Sequence, residues 1–320
     1  AGYTNDKTKV YSGNLPIVVF GDHTRIFKFV DFPFALGADG VKILVPKKEI
    51  DVNYYYYLRN LRILSAGYSR HYKFLKEKKI KFPPLPTQKA IVSILEKAEK
   101  AKEWRKKADD LTKDFLKSVF LEMFYGGKYN EVELKEICDT RSGGTPSRSR
   151  KEYWDNGTIP WLGSTVCKDR YVNESKQFIT KNGLNNSSAR IFKKGTILVA
   201  LVGATIGKTA YLNFEATTNQ NIAGIFPKEN VDLNSEYLFY AMQNLYPKFI
   251  SLSSSTFKMA NLTFVRNLKI PLPPIPLQNK FTLIVKEVEK LKEKQKKSRE
   301  EIDNLFNALM QKAFKGELIV

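Results

Sequence analysis

Ile80-Lys81-Phe82-Pro83-Pro84-Leu85-Pro86-Thr87-Gln88 recurs 190 residues later as Ile270-Pro271-Leu272-Pro273-Pro274-Ile275-Pro276-Leu277-Gln278. A long charged stretch with helical patterning follows each copy. The register holds without a gap until Phe124-Tyr125-Gly126 meets Phe314-Lys315-Gly316. A repeat this long exceeds any solenoid unit and marks a duplicated domain with its exit helix. Pro83-Pro84 and Pro273-Pro274 are rigid extended lead-ins, because proline fixes φ and disfavours helix in the residue before it.

The first predicted helix runs from Thr87 to Met123, with Thr87 as its cap and Gly126-Gly127 after its end. Apolar or small residues fall at Ile91, Ile94, Ala98, Ala101, Trp104, Ala108, Leu111, Phe115 and Val119, a mean step of 3.5. That is the coiled-coil period. The second helix begins at Leu277 and carries Phe281, Ile284, Val288, Leu291, Gln295, Ser298, Ile302, Leu305 and Leu309 at the same step. About 35 residues at 1.5 Å each make rods on the order of 50 Å, too long for one small domain to cover. The helices are therefore expected to pair with each other. Because a domain folds between them, the pair should be antiparallel. The expected register sets Ile94, Ala101, Ala108 and Phe115 against Leu305, Ser298, Leu291 and Ile284, with Trp104 on the same seam.

The rest of the chain is punctuated like β structure. In the first module, Ile17 to Phe20, Ile26 to Val30 and Val41 to Val45 alternate with Gly21-Asp22 and Gly37-Ala38-Asp39-Gly40. Asp51-Val52-Asn53 caps a predicted helix from Tyr54 to Leu64, whose consecutive tyrosines read as a buried face with rim positions. In the second module Ile159 to Leu162 and Thr196 to Val202 read as buried strands, and Asn234 to Leu245 as the matching helix. The fold class is α+β: two β-rich domains, separated and followed by long helices that pair as an antiparallel coiled coil. The divisions are 1–82, 83–127 (first helix), 128–272 and 273–320 (second helix).

The chain has 320 residues and 53 Lys plus Arg against 33 Asp plus Glu, a net charge of +20. Such a balance belongs with nucleic-acid binders. The charge is clustered: Arg59 to Lys81 holds eight basic residues and one acidic, and Lys168 to Lys194 holds seven and two. Candidate DNA-binding side chains are Arg59, Arg62, Arg70, Lys73, Arg141, Arg148, Arg150, Lys168, Arg170 and Lys258. Two cysteines without CxxC spacing and two histidines supply neither a disulfide framework nor a metal site. No apolar run reaches bilayer length and no signal peptide is visible, so no membrane is expected and the reading is cytoplasmic.

Two motifs are decoys. Gly203-Ala204-Thr205-Ile206-Gly207-Lys208-Thr209 has three residues between its glycines where a phosphate-cradling loop needs four, and strand rather than helix follows. It reads as a tight turn. Phe82-Pro83-Pro84 lacks the Asn or Asp that the Pro-Pro motif of amino-methyltransferases requires. No catalytic, cofactor-binding or metal-binding residue is assigned.

The order of parts, a β-rich module, a Pro-Pro-x-Pro-x-Gln lead-in and a coiled-coil helix, all repeated, resembles the DNA specificity subunit of Type I restriction-modification enzymes. Gly143-Gly144-Thr145-Pro146, Ile159-Pro160-Trp161, Lys194 to Leu198, Gly203 to Gly207 and Thr218-Asn219-Gln220-Asn221 resemble that family's target recognition domains. The resemblance implies a non-catalytic reader of a bipartite double-stranded DNA target. Methyltransferase subunits, two of them, and restriction/translocase subunits would be its partners. S-adenosylmethionine, ATP and Mg would belong to those partners and not to this chain. Roughly 75 residues of the second module, Lys128 to about Val202, have no counterpart before Pro16. The first recognition domain is therefore expected to lack its N-terminal half. The rival readings are an enzyme acting on nucleic acid by itself and a structural coiled-coil adaptor; a methylation assay on the isolated chain and a DNA-binding measurement separate them.

Overall fold

A computed structural model of the chain describes residues 5–37, 40–57, 70–77, 82–126, 129–252 and 259–318. In chain order the elements are β1 (Ile17–Gly21), β2 (Phe27–Val30), β3 (Val41–Leu44), α1 (Val52–Tyr57), α2 (Tyr72–Lys76) and the long α3 (Leu85–Phe124). There follow β4 (Glu131–Glu133), α4 (Leu134–Ile137), β5 (Cys138–Ser142), β6 (Ile159–Leu162), β7 (Arg170–Val172) and β8 (Gln177–Ile179). Next come α5 (Lys181–Asn185), β9 (Ile191–Phe192), β10 (Ile197–Ala200), β11 (Thr209–Leu212), β12 (Ala216–Thr218) and β13 (Ile222–Pro227). The chain closes with α6 (Ser235–Asn244), α7 (Tyr246–Ser251), α8 (Leu262–Arg266), β14 (Lys269–Pro271) and the long α9 (Ile275–Lys315). Two compact units result: Ala1–Asp109 with Glu293–Val320, and Asp110–Lys292. Each long helix contributes to both.

The first unit holds an antiparallel sheet ordered β2-β1-β3. The second repeats that order as β11-β10-β13 and extends it to β5-β13-β10-β11-β7. A separate sheet, β8-β6-β12-β9, lies in the second unit. The central strands β1 and β10 are the most buried, as apolar runs should be.

The repeated glutamine explains why the quoted stretch recurs. Gln88 is fully buried; its Oε1 accepts from the Asp51 N–H at 2.8 Å, and its Nε2 donates to the carbonyls of Pro83 at 2.8 Å and Glu49 at 2.9 Å. Gln278 does the same with the Asn234 N–H at 2.8 Å and the carbonyls of Pro273 at 2.8 Å and Asp232 at 3.2 Å. Asp51 and Asn234 in turn cap α1 and α6 through their side-chain oxygens. One side chain thus ties the start of each long helix to the capping turn of its domain. Buried tyrosines finish the arrangement: Tyr54 packs on Phe314 at 5.3 Å, and Tyr237 on Phe124 at 4.9 Å. Each domain clasps the beginning of its own helix and the end of the other. Gly126 and Gly316, at φ 85° and 75°, end the helices in the left-handed conformation that favours glycine.

The helices pair antiparallel within each unit, with a period matching the expectation; Ile91, Ala98, Phe281, Val288 and Gln295 of the expected seam are buried, while other expected positions lie one residue off it. In the first unit Ile91, Leu95 and Ala98 cluster with Phe306, Met310 and Ala313. In the second, Leu116, Phe120 and Phe124 share a core with Phe281, Val285 and Val288. Polar residues carry the seam between these ends. Lys102 pairs with Asp303 at 2.8 Å, Arg105 Nε lies 3.3 Å from Asp109, Arg299 bonds Asp109, and Thr112 and Gln295 are buried. Of the residues expected on the seam, Trp104, Phe115, Leu291 and Leu305 are instead exposed at 70%, 49%, 46% and 57%. Ile94, Ala101, Ala108 and Ile284 are half-buried at its flank. Phe115 precedes Leu116 by one residue, a turn of about 100° around the helix. The register also slides by about two turns, because Arg299 meets Asp109 where Ser298 was expected beside Ala101. The helices begin at Leu85 and Ile275, so Pro86 and Pro276 occupy the first turn, where a missing N–H costs nothing.

Asp109 lies between two guanidinium groups. Asp109→Arg is expected to lower the unfolding midpoint by setting like charges together, and adding Arg299→Asp should restore part of the loss. A midpoint unchanged by the single reversal would mean that this carboxylate does not hold the helices in register.

Candidate nucleic-acid interface

In the second unit a loop leaves β5 at Gly143 and projects its basic residues from a fixed base. The N–H of Gly144 donates to Thr218 O at 2.8 Å, and the Thr145 hydroxyl bonds Gln220 Oε1 at 2.6 Å. A Cβ on Gly143 would collide with Thr218, and one on Gly144 with Ser188, so only glycine allows this approach. Two indoles lock the loop from beneath: Trp161 Nε1 donates to Gly144 O and Trp154 Nε1 to Ser147 O, both at 3.1 Å.

The loop presents Arg148 and Arg150, both exposed. The Arg148 guanidinium stacks 3.5 Å from the Trp154 ring centre and 4.8 Å from that of Trp161, and donates from Nη2 to Gln177 Oε1 at 2.8 Å. Arg150 donates to the Tyr153 hydroxyl at 3.0 Å. Arg141 lies exposed on β5, 5.7 Å over the Phe226 ring. Lys168 and Arg170 flank Asp169, a left-handed residue at φ 54°. Asp169 accepts from the Thr209 N–H at 3.0 Å, the Thr209 hydroxyl at 3.1 Å and Lys208 Nζ at 2.7 Å. The turn is thereby fixed and both cations face solvent. Lys208, the lysine of the false phosphate loop, is committed to this ion pair, and Gly203 to Thr209 forms a tight connection between β10 and β11.

Arg70 and Lys73 are exposed in the first unit, Lys73 against the Phe74 ring at 4.8 Å. Arg59, Arg62 and Lys258 lie outside the described residues. Lys151, Lys176, Lys181 and Arg190 are further exposed cations of the second unit. Of these, Lys176, Lys181 and Arg190 fall within the sequence-level cluster but not among its named candidates. Gln177 and Trp154, which orient Arg148, carried no sequence signal, because their role is a contact across the fold.

Among the described residues no group of His, Cys, Asp and Glu is placed to hold a metal ion. Both cysteines are buried, and burial pushes their thiols up to about 12, which leaves them inert as nucleophiles. No described helix is long and apolar enough to cross a membrane.

The family described as Type I restriction modification DNA specificity domain matches residues 4–109 and 127–304, one stretch for each copy of the repeat. The chain belongs to this family. Its curated relatives include the specificity subunit of the Type I restriction enzyme EcoR124I/EcoR124II of Escherichia coli. The two are 27% identical over 311 residues, covering 89% of this chain and 75% of that one. The MjaIX specificity subunit of Methanocaldococcus jannaschii is 33% identical over 189 residues, 57% of this chain and 43% of the relative. Among solved structures, a chain from work on complex assembly and conformational transition of the type I R-M system superposes with a TM-score of 0.67. It does so at 19% identity, over 96% of this chain and 85% of its own length. The S subunit from M. genitalium gives 0.53 at 17% identity, over 93% and 83%. At such identities these structures support the fold. The family is one of specificity subunits, the non-catalytic class that the sequence resemblance implied.

Proposed function

We propose that this Type I specificity subunit reads a bipartite double-stranded DNA target, each recognition domain taking one half-site and the helix pair setting the spacing. The observation that carries this reading is the pinned loop of the second domain, which offers Arg148 and Arg150 from a base too rigid to be a passive surface turn. Fixed cations position a duplex through its phosphates, and a few side chains at base edges give specificity. Two methyltransferase subunits and restriction/translocase subunits complete the assembly. They supply the S-adenosylmethionine, ATP and Mg2+ chemistry, in the cytoplasm where the DNA is.

The apolar residues that the helices leave outside their own seam are the docking points for those subunits: Trp104 and Leu305 in the first unit, Leu111, Phe115 and Leu291 in the second. Exposed Trp and Phe are the residue types that dominate binding energy at protein interfaces.

Binding of the chain to a duplex of unrelated sequence tests the electrostatic part. If about six phosphates are neutralised, log K against log salt should fall with a slope near −5. A slope flatter than about −2 would contradict a DNA surface built from these cations. Sequencing of methylated bases in cells with and without the gene tests the rest: a two-part motif should vanish with the gene, and an unchanged methylome would refute the assignment.

A further inference from the structure

We infer that Arg148 is a guanine-reading residue of the second recognition domain, held ready for base contact before DNA arrives. The inference rests on the proposed DNA-recognition function and names what one side chain of that site recognises. An arginine that merely adds positive charge needs no fixed orientation. This one is held from three sides. Its guanidinium carbon lies over the Trp154 ring at 3.5 Å from the centre and 4.8 Å from that of Trp161, and its Nη2 donates to Gln177 Oε1 at 2.8 Å. The two indoles meet edge to face at 5.2 Å and are themselves bonded to the loop that carries the arginine. Among the described residues Arg148 has no carboxylate within ion-pair distance, although Arg150, two residues on, faces Glu152 at 4.0 Å.

The chemistry selects the ligand. A guanidinium has five N–H donors in a planar fork. One is spent on Gln177, and the others remain available from an exposed side chain. A planar fork with fixed orientation matches two adjacent acceptors in one plane. In the major groove guanine presents that pair as O6 and N7, whereas adenine presents an acceptor beside a donor. Stacking on the indole removes rotamer freedom before binding, which strengthens discrimination instead of general attraction. A phosphate would accept the same charge, but it would accept a lysine nearly as well. That difference separates the two roles.

The test selects binders from a pool of random-sequence duplexes, using the full chain and its Arg148→Lys and Trp154→Leu variants. Salt-dependent binding to an unrelated duplex is measured alongside. The wild-type chain should enrich a motif with guanine at one position of one half-site. Arg148→Lys should keep the salt slope on the unrelated duplex, showing a folded and equally charged surface. It should nonetheless lose preference for that guanine by roughly ten- to a hundredfold, with other positions unchanged. Trp154→Leu should weaken the same position to a smaller degree. If the wild type enriches a motif and Arg148→Lys enriches it identically, or loses affinity evenly at every position, Arg148 does not read a base and the inference falls while DNA recognition stands. A wild-type chain that enriches no sequence would overturn the recognition reading itself, and this inference with it.

Discussion

Phe120→Ala is expected to destabilise the second unit by about 3–5 kcal/mol, whereas Phe115→Ala, five residues away on the same helix, should cost less than about 1 kcal/mol. Hydrophobicity makes no distinction between the two phenylalanines. Phe120 is fully buried and packs edge-on against Phe281 at 5.2 Å, face-on against Tyr237 at 5.4 Å and against Phe124 at 5.0 Å. Removing it deletes its burial, breaks its ring contacts with Phe124, Tyr125, Tyr237 and Phe281, and leaves a cavity that two helices and a domain cannot close. Phe115 points mostly to water, so its loss gives up little. Urea unfolding of the two variants, followed by tyrosine fluorescence and far-UV circular dichroism, measures the difference. Equal costs, or the reverse order, would mean that the seam has been placed on the wrong side of α3.

The second large effect is expected at the repeated glutamine. Gln278→Leu preserves volume and should still cost on the order of 3 kcal/mol or more. It leaves the Asn234 N–H and the carbonyls of Pro273 and Asp232, buried or part-buried groups, without their partner, at about 1–3 kcal/mol for each group left unsatisfied. The Asn234 N–H belongs to the residue that caps α6, so the loss should loosen the helix start and the domain together. Gln88→Leu should do the same to Asp51 and α1 in the first unit. If hydrogen exchange at Asn234 to Tyr237 stayed as slow in Gln278→Leu as in the wild type, the glutamine would have no such tethering role. A glutamine at the second position after Pro-x-Pro in both copies was visible in the sequence, but nothing there said that its amide closes a circuit between helix and domain.

The drift of the expected seam away from the buried one, past its correct start at Ile91 and Phe281, follows from how it was read. Counting apolar residues at a 3.5-residue step found the period, because the buried ends of α3 and α9 repeat at that step. In the middle of the pair, however, the seam positions are Lys102, paired with Asp303, Arg105 and Asp109, which lie within ion-pair distance with Arg299 also on Asp109, and the buried Thr112. A hydrophobic count passes over them and drifts one residue to Trp104, Leu111 and Phe115. Those residues are apolar without being part of the pair, so α3 carries two stripes of which only one is its own core. The candidate interface shows a similar division. Basic clusters and a glycine-proline loop were legible as composition, and Arg148 was among the candidates. Its orientation was not, because Trp154 reaches it from a turn and Trp161 and Gln177 from the strands β6 and β8.

By itself the sequence determined that this protein is a duplicated β-domain followed by a long helix, that the helices have coiled-coil period and antiparallel sense, and that a basic chain of this order belongs among DNA specificity subunits. The repeat, the period and the antiparallel sense follow from local chemistry: proline and glycine punctuation, periodicity, capping residues and an uninterrupted repeat; the family came from a resemblance of motifs. Only the tertiary structure decided which face of each helix is buried, what the repeated glutamine binds, that each domain's tyrosine packs on the end of the other helix, and which arginine is held rigid. Each of these is a pairing between residues far apart along the chain. The free energy of such a pairing resides in the contact, and neither partner carries it alone.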